Sequence, residues 1–135
     1  MKYMVTRDLE TGNAIIDSEH QQLFDAVNRL TDACSSGQGR ASLNDTINFL
    51  LDYVDKHFTH EESLQKQSNY PGLIAHHQFH EAYKQKLRTL ANQIPRSGAT
   101  IVDLFAINQH IGVLVSHIRT EDRKLGAYLQ DKDVH

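Results

Sequence analysis

A chain of 135 residues is long enough for one domain with a sizeable core and too short for two. Fourteen Lys and Arg against seventeen Asp and Glu leave a net charge of −3 with no basic block, so no nucleic-acid partner is expected. A single cysteine, Cys34, excludes an intrachain disulfide framework and suits a reducing compartment. No apolar run of signal-peptide or membrane-span length is read, so the expectation is a soluble, cytoplasmic protein with no membrane partner.

Residues 1–16 read as an irregular N-terminal arm, residues 17–130 as a helical bundle and 131–135 as a tail. The first helix is expected to begin near Ser18, with Ser18 and Gln21 as a capping box, and to end near Gly37 and Gly39. Its apolar stripe is His20, Leu23, Val27, Leu30 and Cys34, which makes Cys34 a small core residue at the end remote from His20. A second helix is expected after Ser42, with Asp45 as the reciprocal cap, running to about Gln65 on the stripe Leu43, Ile47, Leu50, Val54, His57, Glu61, Leu64. Pro71 suits the first turn of a third helix, whose stripe is Leu73, His76, His80, Tyr83, Leu87, Leu90, Ile94, ending at Pro95. A fourth follows Thr100 or Ser97 and runs past His117 on a broad apolar surface that includes Ile107, Leu114 and Ile118.

Connections this short make neighbouring helices antiparallel, so the fold class is all-α, an up-down-up-down four-helix bundle. His20 then lies at the start of the first helix, His57 and Glu61 near the end of the second, His76 and His80 near the start of the third, and His117 and Asp122 at the end of the fourth. Starts of odd helices and ends of even ones share one end of such a bundle, so all seven residues converge at one level. Five imidazoles and two carboxylates on apolar stripes are costly to bury without partners, and a shared cation satisfies them together. A metal-free bundle is the bland alternative. A mononuclear zinc site would leave three of the seven unused.

Imidazole with carboxylate, and no thiolate, suits iron. Five imidazoles, two bridging carboxylates and one bridging oxygen fill all but one position of two octahedral ions, and one open position suits a small reversible ligand. No Glu-x-x-His pair of the ferritin-like di-iron enzymes joins the cluster, which favours binding over oxygen activation.

The segments IIDSEHQQLF, HFTHEE, YPGLIAHHQFH and HIRTED resemble, in order and spacing, the signatures of the hemerythrin family, especially its bacterial branch, from about residue 3 to about residue 130. The resemblance implies that His76, His80 and His117 bind one iron, that His20 and His57 bind the other, and that Glu61 and Asp122 bridge them. It also implies reversible dioxygen binding at the iron with two histidines. Asp122 is the irregular member: on a regular helix Glu121, at i+4 from His117, points correctly, while i+5 points about 140° away. The family pattern selects Asp122, and a π-bulge before it reconciles the geometry.

By position, Leu23, Phe58, Leu114 and Ile118 should line an apolar oxygen pocket. Bacterial relatives commonly carry tryptophans where this chain has Val5 and Val113, and the chain has none. Val113 is therefore expected to thin the pocket wall and speed autoxidation. Of the remaining histidines, His60 is expected to be solvated, His77 to pair with Glu81, and His110 to be a hydrogen-bonded core residue. The functional expectation is oxygen sensing, storage or transport without enzymatic turnover, with a signalling output domain as a possible partner. The alternatives are a di-iron enzyme acting on peroxide, nitric oxide or oxygen, and an iron store or sensor.

Overall fold

A computed structural model describes residues 4, 6–7, 9–95 and 98–131. Among them every regular element is helical: α1 (Ala14–Ser35), α2 (Gly39–Gln67), α3 (Leu73–Gln93), α4 (Ile101–His117), a single π-helical turn (Ile118–Asp122) and α5 (Arg123–Asp131). Val5, Ser97 and the last four residues of the tail lie outside the described residues.

Three of the helix starts differ from the sequence expectation, and for α1 a stronger cap upstream explains the shift. α1 begins four residues before Ser18 because Asn13 Oδ1 accepts the amides of Ile15 and Ile16 at 3.1 and 3.0 Å. Ser18 is thus an exposed residue inside the helix, with no capping box. α2 begins at Gly39, before Ser42, without a side-chain cap; Gly39 opens α2 instead of closing α1. A Cβ at Gly39 would lie 2.6 Å from Cys34 Sγ, so the bare glycine lets the two helices meet there. Cys34 is exposed, contrary to its expected place in the core. Pro71 falls in the turn before α3, whose cap is Gly72. α4 starts behind Thr100 with a complete capping box, in which Thr100 Oγ1 accepts from the Asp103 amide and the Asp103 carboxylate accepts from the Thr100 amide.

α1 and α2 run antiparallel, since Gly39 at the start of α2 meets Cys34 at the end of α1 while His57, late in α2, meets His20 near the start of α1. The Tyr53 hydroxyl, midway along α2, donates to the Glu19 carbonyl near the start of α1 at 2.8 Å. The Tyr83 hydroxyl in α3 donates to the His110 carbonyl in α4 at 2.9 Å. Between them, Leu23, Phe24, Leu43, Leu50, Phe58, Leu87, Ile107 and Leu114 form one continuous buried core.

The fourth helical run is the unusual one. From Ile101 to Asp131 it is long and apolar enough to cross a membrane by length and composition, which corrects the sequence expectation that no segment is. Its buried face, Ile107, Ile111, Leu114 and Ile118, packs into the bundle core. The arm reaches across to α5, where Thr11 passes so close to Gly126 that a Cβ there would lie 2.0 Å from the Thr11 carbonyl oxygen. The Asp17 carboxylate accepts from both the amide and the hydroxyl of Thr11, at 2.8 and 2.7 Å, and ties the arm back to α1. The segment after the π turn is therefore held from both sides.

Candidate metal centre

The seven residues singled out in the sequence all come together at one end of the bundle, and all are buried, none more than 6% exposed. They fall into two groups able to hold an ion, His76, His80 and His117 in one, and His20, His57, Glu61 and Asp122 in the other. The Asp122 carboxylate lies between them: Oδ1 is 3.0 Å from both His76 Nε2 and His117 Nε2, and Oδ2 is 3.2 Å from His20 Nε2. Glu61 Oε1 likewise spans the groups, 3.3 Å from His57 Nε2 and 3.4 Å from His80 Nε2. The expected irregularity is present, since the helix widens into a π turn over Ile118–Asp122. The widening turns Asp122 inward, to 1% exposure, and leaves Glu121 on the outside.

The donor set fits a cation better than it fits itself. Glu61 Oε1 and Oε2, Asp122 Oδ1 and His80 Nε2 are buried without a hydrogen-bond partner, although each lies among potential ones. The His76 and His117 Nε2 atoms face each other at 2.9 Å, and those of His20 and His57 at 3.2 Å. Two carboxylates and five imidazole nitrogens that converge with their acceptors unpaired form a pocket of negative potential, which a divalent ion compensates. The residues fit two ions, with Glu61 and Asp122 placed to reach both.

Two further carboxylates, absent from the sequence-level site, orient the imidazoles. Glu19 Oε1 accepts from His57 Nδ1 at 3.1 Å, and Glu62 Oε2 accepts from His80 Nδ1 at 2.9 Å. A carboxylate can only accept, so each Nδ1 carries the hydrogen and, in the neutral ring, each Nε2 lone pair points at the centre. Each carboxylate is shared with a second histidine nearer the surface. His60 Nδ1 donates to Glu19 at 2.9 Å, and His77 Nδ1 donates to Glu62. His60 is therefore anchored instead of merely solvated, and His77 pairs with Glu62 and not with Glu81, whose partner is Lys84. The sequence did carry a signal for this: each outer histidine stands three residues from an inner one, hence on nearly the same helix face. Burial opposes charge on Glu19 and Glu62, yet their hydrogen bonds from histidine hold both below the ordinary carboxylate range.

In the metal-free protein, protons take the place of the cation. Burial disfavours a charged His57, but the nearby Glu61 charge and the hydrogen bond to Glu19 overcome it and push the pKa up to about 10. Burial and the Asp122 charge oppose ionisation of Glu61, and its histidine partners nevertheless bring it down to about 2. A raised histidine stabilises fully below its ordinary value of 6.5 and loses that contribution as pH climbs towards 10; a depressed carboxylate contributes above 4.5 and fades towards 2. Metal-free protein is thus expected to melt at progressively lower temperature as pH rises above neutrality, and metal-loaded protein to change far less. A metal-free melting temperature as high at about pH 9 as at about pH 6 would contradict this compensation.

His110 is the hydrogen-bonded core histidine expected. Its Nε2 lies 3.1 Å from the Tyr83 carbonyl and its ring stacks on that tyrosine at 3.7 Å. Leu23, Phe58, Leu114 and Ile118 are all buried, and Phe58 stacks on His80 at 3.8 Å. Val113 is misplaced by the sequence reading. It is 48% exposed and borders a surface pocket with Lys86, Leu90 and Gln109, so it does not wall the centre.

Comparison with known proteins points to one family. Residues 11–129 match the model of the hemerythrin HHE cation binding domain. A bacteriohemerythrin of Pseudomonas aeruginosa is 34% identical over 80 residues, covering 59% of this chain and 52% of that one, so the match spans about half of that relative's length. A myohemerythrin of Sipunculus nudus is 30% identical over 110 residues, 82% of this chain and 79% of its own. A bacteriohemerythrin of Campylobacter jejuni is 24% identical over 127 residues and covers 92% of each chain.

Proposed function

This chain belongs to the hemerythrin family, in its bacterial branch, and from that premise we propose that it binds dioxygen reversibly at a non-haem di-iron centre, as a cytoplasmic oxygen sensor, store or carrier. The observation that carries the proposal is the division of seven buried side chains into a three-histidine group and a group of two histidines and two carboxylates, with Glu61 and Asp122 between them. In this reading His76, His80 and His117 hold one iron, His20 and His57 hold the other, and Glu61 and Asp122 bridge. Bound there, a pair of ferrous ions supplies the electrons and the open coordination position that dioxygen binding requires.

The chain's own residues do the rest. Glu19 and Glu62 fix the tautomers of His57 and His80, so that neither ring need reorient. Leu23, Phe58, Leu114 and Ile118 form an apolar shell that keeps water and protons from the centre. Anaerobically reduced protein should take up about one dioxygen per two irons, develop a visible absorption band and lose it under vacuum. Irreversible oxidation, or repeated turnover with a reductant, would favour a di-iron enzyme instead.

The same shell yields a mutational prediction. Leu114→Ala should hasten conversion of the oxygen-exposed protein to the ferric form, because it opens the apolar layer to water; Val113→Trp, on the solvent side, should leave that rate unchanged. Iron content must be equal in all the proteins compared. A rate that responds to position 113 and not to 114 would place the water barrier elsewhere.

A further inference from the structure

We propose that iron reaches the buried centre through a surface pocket between α3 and the π turn, and that Glu121 at its mouth is the residue that first holds the incoming ferrous ion. This rests on the di-iron reading above. The pocket, of about 270 Å³, is lined by Tyr70, Ala75, His76, Phe79, His117 and Glu121, so two of the proposed iron ligands form part of its wall. These two are the most exposed of the seven, at 5% and 6%, against 2% or less for the others. An ion in the pocket therefore meets His76 and His117 before any other member of the set.

The chemistry of the wall suits a cation. The Glu121 side chain is 48% exposed, and its charge contributes to the field at both Tyr70 and His76. Its ion pair with Lys124, 3.3 Å long and exposed on both sides, is of the weak class that a divalent ion can displace. On its other side Glu121 borders a wider cleft of about 760 Å³ between the arm and α5, where Arg7, Arg119, Arg123 and Lys124 outnumber Glu10 and Glu121 and make a poorer environment for a cation. The π turn explains why a carboxylate stands at the mouth. The widening that turns Asp122 inward leaves its neighbour Glu121 facing outward. Phe79, stacked on His117 at 3.8 Å, keeps that ring in place at the inner end of the route.

The test uses metal-free full-length protein, ferrous ion alone under anaerobic conditions, and a chromogenic ferrous chelator to follow uptake and, in reverse, stripping. Ala75 is exposed, so Ala75→Trp can fill the pocket without entering the core. It should slow uptake and stripping together, several-fold each, while the final iron content stays that of the wild type. A blocked route slows both directions equally, whereas a damaged binding site changes the equilibrium. Glu121→Gln keeps the shape and removes the charge, and should slow uptake about tenfold at low ionic strength with the difference shrinking in salt. Val113→Trp, on another face, should match the wild type.

Wild-type rates in Ala75→Trp would overturn the route, and wild-type uptake in Glu121→Gln would overturn the capture role. If the wild-type protein itself takes up no iron, the di-iron reading fails first, and the equilibrium measurement separates that outcome from failure of the route.

Discussion

Asp122→Ala should remove most of the bound iron, while Glu121→Ala should retain a full complement. The two carboxylates are adjacent in sequence, and regular helical spacing from His117 favours Glu121. The π turn reverses that preference: it brings Asp122 within 3.0 to 3.2 Å of His20, His76 and His117 and leaves Glu121 on the surface. Losing Asp122 deprives both ion positions at once, since its two oxygens face different histidine groups. It also removes the carboxylate charge that faces three buried imidazoles. Glu61→Ala should behave in the same way, because Glu61 Oε1 faces His57 and His80 from two different groups. Full iron retention in Asp122→Ala with loss in Glu121→Ala would mean that the helix is regular in solution and that the ligand assignment is one residue off.

The second large effect is expected from a residue that would touch no metal. Glu62→Ala removes the acceptor for His80 Nδ1, so the ring can adopt the other tautomer and turn its lone pair away from the centre. Outer carboxylates of this kind are worth about 10–100-fold in metal affinity. Competition against a chelator of known strength should show a loss of that order, with Glu62→Gln recovering part of it through its amide oxygen. Glu19→Ala should act similarly through His57, whereas His77→Ala should bind iron nearly as well as the wild type, because His77 is the exposed partner of Glu62. Equal affinity in Glu62→Ala and wild type would show that packing against Phe58, stacked on His80 at 3.8 Å, is enough to hold the ring.

The inward-facing set was legible because helical spacing carries it. His57 with Glu61 and His76 with His80 repeat at four residues, and short connections leave only one end of the bundle where all the candidates can meet. Spacing alone favoured Glu121; the resemblance to the family pattern selected Asp122, and the irregular turn was expected only to reconcile that choice with helical geometry. What the sequence concealed depends on packing between helices. Glu19 and Glu62 sit beside the stripes, and their partners lie on other helices, at separations that no periodicity encodes. Val113 was misjudged because α4 is apolar on most of its circumference, so the identity of a residue there does not reveal which side faces the core. The start of α1 was misplaced because Ser18 and Gln21 imitate a cap, while Asn13, fixed beneath the arm by a bond from its amide to the Thr11 hydroxyl, supplies the actual one.

The most direct test of the dinuclear centre is metal analysis of the full-length protein expressed with ample iron and purified without added metal. Seven convergent ligands in two groups predict a reproducible ratio near two irons per chain. A ratio near one, or preferential occupancy by zinc, would contradict it.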